Sequence, residues 1–278
     1  MMGIDPQQAP PLQQRLPVIA SSGFTTIKTE VPEGIAVEDY CNRLAQAGIR
    51  PGRGYVPMPW TDDPMARNTF LGRARLTAAN NGAVGVPLVF LAMGMDKKAA
   101  RVTHPAVGFD FKPERLEAVC DYLGNAASIM AGEGAVPALH PHVGTWIETA
   151  DEVRFALDSV DSTILSFGPD VGHLACTGIN PADIIAEYRP RLAGIHLKDY
   201  HLAIASKSRD EDVDYRTTVR AGLWTEPGFG DANIDEILDA AGPDFDGWLG
   251  IKVDRGTTAP EDSITRCGEW LTTRYEKS

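Results

Sequence analysis

GIHLKD, residues 194–199, alternates two kinds of side chain along an extended backbone. Ile195 and Leu197 fall on one face, and Gly194, His196 and Lys198 on the other. A strand of a closed α/β barrel needs this division: aliphatic residues outside, under the helices, and small or polar residues inside, with the chemistry at the carboxyl end. Three more segments repeat it. In PALHPH (137–142) Leu139 opposes Ala138, His140 and His142; in TILSFGPD (163–170) Leu165 and Phe167 oppose Ile164, Ser166, Gly168 and Asp170. In GWLGIKVD (247–254) Leu249, Ile251 and Val253 oppose Trp248, Gly250, Lys252 and Asp254. A register shifted by one is the competing reading of this last segment; it sends Lys252 and Trp248 outward and turns Leu249, Ile251 and Val253 into the lumen.

The same alternation of short β-rich runs and helical patterns extends along the chain. TTIKTE (25–30), GYVPM (54–58), VPLVFLA (86–92), AVPALH (135–140), TILSFG (163–168), LAGIHL (192–197) and GWLGIK (247–252) read as strands. Between them, PERLEAVCDYLGNAASIMAGEG and PADIIAEYRPRL carry apolar residues at helical spacing behind Pro or acidic starts. The expectation is an α/β protein, a (β/α)8 TIM-type barrel occupying residues 1–278 as one domain. Its first strand is abbreviated or missing at the N-terminus, with MMGI (1–4) or LPVIAS (16–21) as the candidates. The polar segment 200–232 reads as a long loop with one helical turn.

Composition narrows the function classes. The net charge is −12, with no basic run, which argues against nucleic acid. No apolar run approaches the roughly 20 residues of a membrane span, and the first residues lack the pattern of a signal peptide, so a cytoplasmic protein is expected. Cys41, Cys120, Cys176 and Cys267 form no C-x-x-C pair and read as free thiols. GFG (228–230) is too short for a phosphate loop and no G-x-S-x-G elbow is present, so neither a nucleotide cofactor nor an α/β-hydrolase is expected.

Parity gathers His140, His142, Asp170, His196, Lys198 and Lys252 into one polar ring, and His173 lies three residues beyond Asp170. Any one of these reads equally well as a capping or hydrogen-bonding residue. Six inward polar groups from four consecutive strands point to function, because burying so many is costly without a task. Imidazole and carboxylate suit a divalent transition metal with positions left open for substrate oxygens, and His142 or Lys198 could move a proton beside a polarised carbonyl. The reaction class is then isomerisation, epimerisation or elimination. Trp60 and Trp224, in loops after strands, could wall a sugar ring or simply anchor those loops.

HPHVGTWIET (140–149), DVGHLACTGINPADIIAEYRPRLAGIHLKDY (170–200), GLWTEPGFGDANIDEIL (222–238) and DFDGWLGIKVDR (244–255) resemble the sugar isomerase/epimerase-like barrels of the xylose isomerase-like superfamily, especially the inosose (2-keto-myo-inositol) dehydratases. The resemblance runs from SGFTTIKTE (22–30) to VDR (253–255). It implies a divalent metal, Mn²⁺ first and Co²⁺ or Mg²⁺ next, held at the ends of four late strands. His140, Asp170 and His196 match three ligand positions. The fourth, a glutamate in relatives, is Lys252 here, with Asp254 retained. His142, His173 and Lys198 match positions near the substrate, and Glu148 lies at the loop that follows the fifth strand.

An ammonium cannot ligate a metal unless deprotonated, and it repels a cation where relatives supply a negative charge. Three readings of Lys252 follow: a weaker metal site on three ligands, a lysine that replaces the cation, or an altered barrel that binds a ligand or serves as an accessory subunit. The implied substrate is a small polyhydroxylated carbonyl compound, a keto-sugar or keto-inositol, enolised next to its carbonyl. His142, His173, Lys198 and Lys252 are then the catalytic candidates, Glu148, Trp60, Trp224 and Asp254 the substrate contacts, and a homo-oligomer is the implied assembly.

Overall fold

The computed structural model describes residues 10–96 and 98–275. In chain order the elements are α1 (Leu12–Ser21), β1 (Thr26–Ile27), α2 (Val37–Ala45), β2 (Arg50–Pro51), β3 (Gly54–Pro59), α3 (Pro64–Ala83), β4 (Leu88–Gly94), α4 (Ala100–Thr103), α5 (Pro113–Gly132), β5 (Val136–Leu139), α6 (Ala150–Ser159) and β6 (Ser166–Phe167). They continue with α7 (Val171–Cys176), α8 (Pro181–Glu187), β7 (Gly194–Leu197), β8 (Asp199–Tyr200), α9 (Leu202–Asp210), α10 (Tyr215–Arg220), β9 (Trp224–Thr225), α11 (Ile234–Ala241), β10 (Trp248–Ile251) and α12 (Pro260–Tyr275).

The sheet is parallel and follows the chain: β1 pairs with β2, β3 with β4, β4 with β5, β5 with β6, and β7 with β10. β2 and β3 belong to one extended run interrupted at Gly52 and Arg53, and a parallel bridge from Phe167 to Leu192 carries the sheet from β6 towards β7. The connections between successive parallel strands carry helices, which is the architecture of a TIM barrel. The expected strand at 1–4 lies outside the described residues. The other candidate, LPVIAS, is the last part of helix α1, whose Leu16 packs with Tyr40, Leu44 and Ile49.

Parity sorts the core as a barrel requires. Val89, Leu91, Met93, Leu139, Leu165 and Phe167 lie under α3, α5 and α6 with Leu71, Leu123 and Val153. Leu88, Phe90 and Ala138 point the other way, with Tyr55 and Trp248 packed on them, and form the apolar floor of the interior. Trp248 is therefore inward, and Leu249 packs with Ile237 and Ala241 of α11 on the outside. The shifted register of GWLGIKVD is thereby excluded. The helices begin where local chemistry allows: Asp63 and Asn180 cap α3 and α8 ahead of Pro64 and Pro181, and Thr149 with Glu152 closes a capping box on α6.

The expected loop at 200–232 is instead organised. β8 and β9 form an antiparallel ribbon, Asp199 opposite Thr225 and Tyr200 opposite Trp224, with α9 and α10 between them. Among the described residues no helix is long and apolar enough to cross a membrane.

Candidate active site

The carboxyl ends of β5, β6, β7 and β10 converge above Phe90. Asp170 follows β6, bridges to His196 of β7, and caps α7 by accepting from His173 N at 3.1 Å. That cap turns His173 back to the same mouth, and Gly172 between them is required by space: a Cβ there would stand 2.7 Å from the Trp224 ring and 3.0 Å from Lys198. His140 follows β5; its Nδ1 donates to the Gly168 carbonyl at 3.1 Å and its ring stacks on Phe90 at 5.4 Å. This leaves the Nε2 lone pair 3.9 Å from Asp170 Oδ2. On the other side His196 Nδ1 stands 3.6 Å from the same oxygen.

Lys198 is the hub. Its buried Nζ lies 2.7 Å from His173 Nε2, 2.8 Å from Asp254 Oδ2 and 2.9 Å from Asp170 Oδ2, although the last approach lacks hydrogen-bond alignment. The ammonium thus makes two hydrogen bonds and one further ion pair, with the Trp224 ring 4.7 Å beneath. Burial works to lower the Lys198 pKa, but Asp170 and Asp254 overcome it and hold it above its ordinary value. Burial likewise works against Asp170, yet Lys198, His173 and His140 keep it down to about 2, and Asp254 is held well below its ordinary value against burial by Lys198 and Lys252. The histidines are neutral: burial brings His140 to about 3 and His142 to about 4, and His173 and His196 well below 6.5. Because a carbonyl only accepts, His142 Nδ1 donates to Val143 O at 2.7 Å, and its Nε2, like that of His140, keeps a free lone pair.

Lys252 stands on the inward face of β10's continuation, 34% exposed, with Nζ 2.8 Å from Asp254 Oδ1. Arg53, which falls one residue before the expected strand at 54, also points inward. Its guanidinium contacts His196 Nε2 and lies 4.8 Å from the Phe90 ring. Gly250, opposite His196 in the register, makes room for both: a Cβ there would come within 3.1 Å of His196 Cδ2 and 3.6 Å of Arg53 Nε. Tyr55, two residues on, meets His140 edge-on at 5.5 Å. The signal for Arg53 was present, since Gly54, Val56 and Met58 are buried on the opposite parity.

The other expected contacts stand further out. Trp224 is fully buried and backs Lys198 and His173 from behind. Trp60 packs edge-on to Tyr122 at 6.2 Å with Arg67 stacked at 5.0 Å, which fits the loop-anchor alternative. Glu148 accepts from the backbone N–H groups of Ala106, Gly108 and Gly144 at 3.1, 3.0 and 2.7 Å, beside Arg101, which is forked on Glu152. Burial pushes its carboxyl up to about 7 against those donors, and its oxygens are spent on tying down two loops.

Residues 17–273 match the family described as xylose isomerase-like TIM barrel. The chain belongs to the xylose isomerase-like TIM barrel family. The inosose dehydratase of Clostridium botulinum is 30% identical over 148 residues, 53% of this chain and 50% of that one. The chain thus spans about half the length of the curated relatives it matches. Among solved structures, the probable 3-DHS dehydratase AsbF of Bacillus anthracis superposes with a TM-score of 0.72 at 15% identity, covering 96% of this chain and 95% of that one. The zinc-bound IOLI protein superposes with a TM-score of 0.71 at 15% identity, covering 98% and 95%. Isomerases, epimerases and dehydratases of small sugar-like substrates make up this superfamily.

Among the described residues of this xylose isomerase-like barrel, two groups have the donors for a metal, each with its ligand atoms within 4.8 Å of one another: His140, Asp170 and His196, and His142, His173 and Asp254. The second group already surrounds an ammonium, that of Lys198. The first fits a divalent ion in its donors: His196 Nδ1 is buried without a hydrogen-bond partner, His140 is oriented through its far nitrogen by a backbone carbonyl, and Asp170 Oδ2 accepts no aligned hydrogen bond, although the Lys198 ammonium stands 2.9 Å from it. Arg53 works against it. A guanidinium only donates, so its contact with His196 Nε2 leaves the proton of the neutral ring on Nδ1, the atom a metal needs.

Proposed function

We propose that this protein is an isomerase, epimerase or dehydratase that removes a proton next to the carbonyl of a small keto-sugar or keto-inositol. The observation that carries the reading is a protonated Lys198 beside a histidine with a free lone pair: the rings of His142 and His173 stand 3.6 Å apart, and Lys198 Nζ is bonded to His173. Base and acid thus meet at the barrel mouth, the pairing that enolisation requires. His142 Nε2 takes the α-proton. Lys198, held charged by Asp170 and Asp254, is the acid that returns a proton to carbon or to a departing hydroxyl. His173, neutral and accepting from Lys198, positions that ammonium rather than acting as the acid itself. His140, Asp170 and His196 would hold a divalent ion, Mn²⁺ first, and such an ion supplies polarisation of the carbonyl.

Deuterium wash-in tests this without knowledge of the product. Keto-polyols including 2-keto-myo-inositol are incubated with the protein and Mn²⁺ in D2O and followed by NMR. The expected result is exchange at the carbon beside the carbonyl of at least one compound, lowered by about 100-fold or more in His142→Gln and Lys198→Met. No exchange with any of them, while ligands still bind, moves the weight to a barrel that binds without turning over.

A further inference from the structure

Cations crowd one side of this mouth without carboxylates to match. Lys28, one residue past β1, pairs with Glu30 at 3.1 Å and lies 5.9 Å over the Tyr55 ring. Lys252 has Asp254, but that carboxylate also holds Lys198. Arg53 has none: among the described residues no Asp or Glu lies at ion-pair distance, and its guanidinium meets His196 Nε2, the Gly54 carbonyl at 3.5 Å and the Phe90 ring. The three cations lie near enough to interact, for Lys28 is lowered by burial first and then by the charges of Lys252 and Arg53, with Glu30 opposing. In a chain of net charge −12 this is no by-product of a basic composition.

A half-buried guanidinium with no carboxylate at ion-pair distance has charge left to pair, and its fork matches a carboxylate or phosphate edge. Gly250 keeps the space beside Arg53 free of a side chain. We infer that Arg53 and Lys252, with Lys28 at the rim, form a subsite for an anionic group, carboxylate or phosphate, on the substrate. The anion takes the Arg53 donors from His196 Nε2, frees that nitrogen to carry the ring proton, and leaves the His196 Nδ1 lone pair facing Asp170. Anion binding and readiness of His196 as a ligand are thereby coupled. This inference rests on the mouth being the reaction site, as proposed above, but the two fail separately.

Calorimetric titration with three matched probes, glycerol, glycerate and glycerol 3-phosphate, separates charge from shape. It is run on the protein as purified and after EDTA, and on Arg53→Gln, Arg53→Lys and Lys252→Gln. One or both anions are expected to bind about tenfold more tightly than glycerol, and the tighter of the two assigns carboxylate or phosphate. Arg53→Gln and Lys252→Gln lose that preference, and Arg53→Lys keeps part of it. Lys252 is partly exposed, so its variant carries the test if Arg53→Gln does not fold. Equal affinity for all three probes overturns the inference, and so does a preference that survives both Gln variants or vanishes with EDTA alone. Deuterium exchange on neutral ketones in a protein with no anion preference would leave the enolisation reading standing and remove this one.

Discussion

Lys252 is one of the cations that face the candidate metal ligands His140, Asp170 and His196. Its inward direction was legible, because Trp248, Gly250 and Lys252 share the parity that places Trp248 on the apolar floor and Gly250 against His196. Its partner was less so: Asp254 binds both Lys252 and Lys198, and no spacing rule announces a carboxylate shared by two lysines. Arg53 escaped for a different reason. It sits in the break between β2 and β3, where Gly52 and Arg53 interrupt the pairing, so a strand that starts at 54, as β3 does, leaves it out. Both cations oppose a divalent ion on His140, Asp170 and His196, Lys252 by repulsion and Arg53 by fixing the wrong tautomer. Lys252→Glu is therefore expected to bind Mn²⁺ about 10-fold to 100-fold more tightly than the unmodified protein. Metal content by mass spectrometry and competition with a chelator check it. Unchanged affinity would mean that Lys252 turns away when the ion binds.

At the scale of elements, the excursion from β8 to β9 shows why local pattern reading stopped short. The sequence SKSRDEDVD within it is polar, and α9 and α10 are held through residues distant in sequence: Ala205, Tyr215 and Val219 cluster with Leu223, Trp224, Cys176 and Val102. Two-residue strands such as β8 and β9 carry no periodicity to detect. What closes the excursion is Asp199, the last residue of the H-L-K-D run. Its buried carboxylate accepts from the backbone N–H of Tyr200, Gly228, Gly230 and Ala232 at 2.8 to 3.0 Å. This side chain pins the loop behind Trp224 beside the end of β7, together with the hydrogen bonds from Asp231 N to Tyr200 O and from Leu202 N to Asp231 Oδ2. In Asp199→Asn the amide nitrogen would face N–H donors instead of accepting from them. A loss of about 2–3 kcal/mol is expected in urea unfolding, with faster amide exchange confined to 226–232. Uniform protection across that loop in the variant would show that the pin is dispensable.

For the whole molecule, the barrel was legible because its layers obey a single parity from Val89 to Leu249, whereas the charge states at its centre follow from burial, which no single strand reveals. Four of the six histidines sit there neutral, and this ties global stability to pH. His140 and His142 are held at about 3 and about 4, and His173 and His196 well below 6.5. Between those values and the ordinary 6.5 the unfolded chain binds protons that the folded one refuses, so stability rises with pH across this window and is fully present above it. Each such group contributes roughly 1.4 kcal/mol per pH unit while the unfolded side chain alone is protonated. Glu148, raised to about 7, runs the other way between about 4.5 and 7, but it is one group against four. Asp170, at about 2, adds a loss only below its ordinary 3.8, so the lowest part of the limb belongs to the carboxylates. Urea midpoints measured in EDTA at pH 7.5, 6.0 and 5.0 should fall steadily. A metal on His140 and His196 would steepen the fall, because protons must displace it. A midpoint unchanged between pH 7.5 and 5.0 would mean that the imidazoles take up protons in place, so that the mouth opens to water well before the fold is lost.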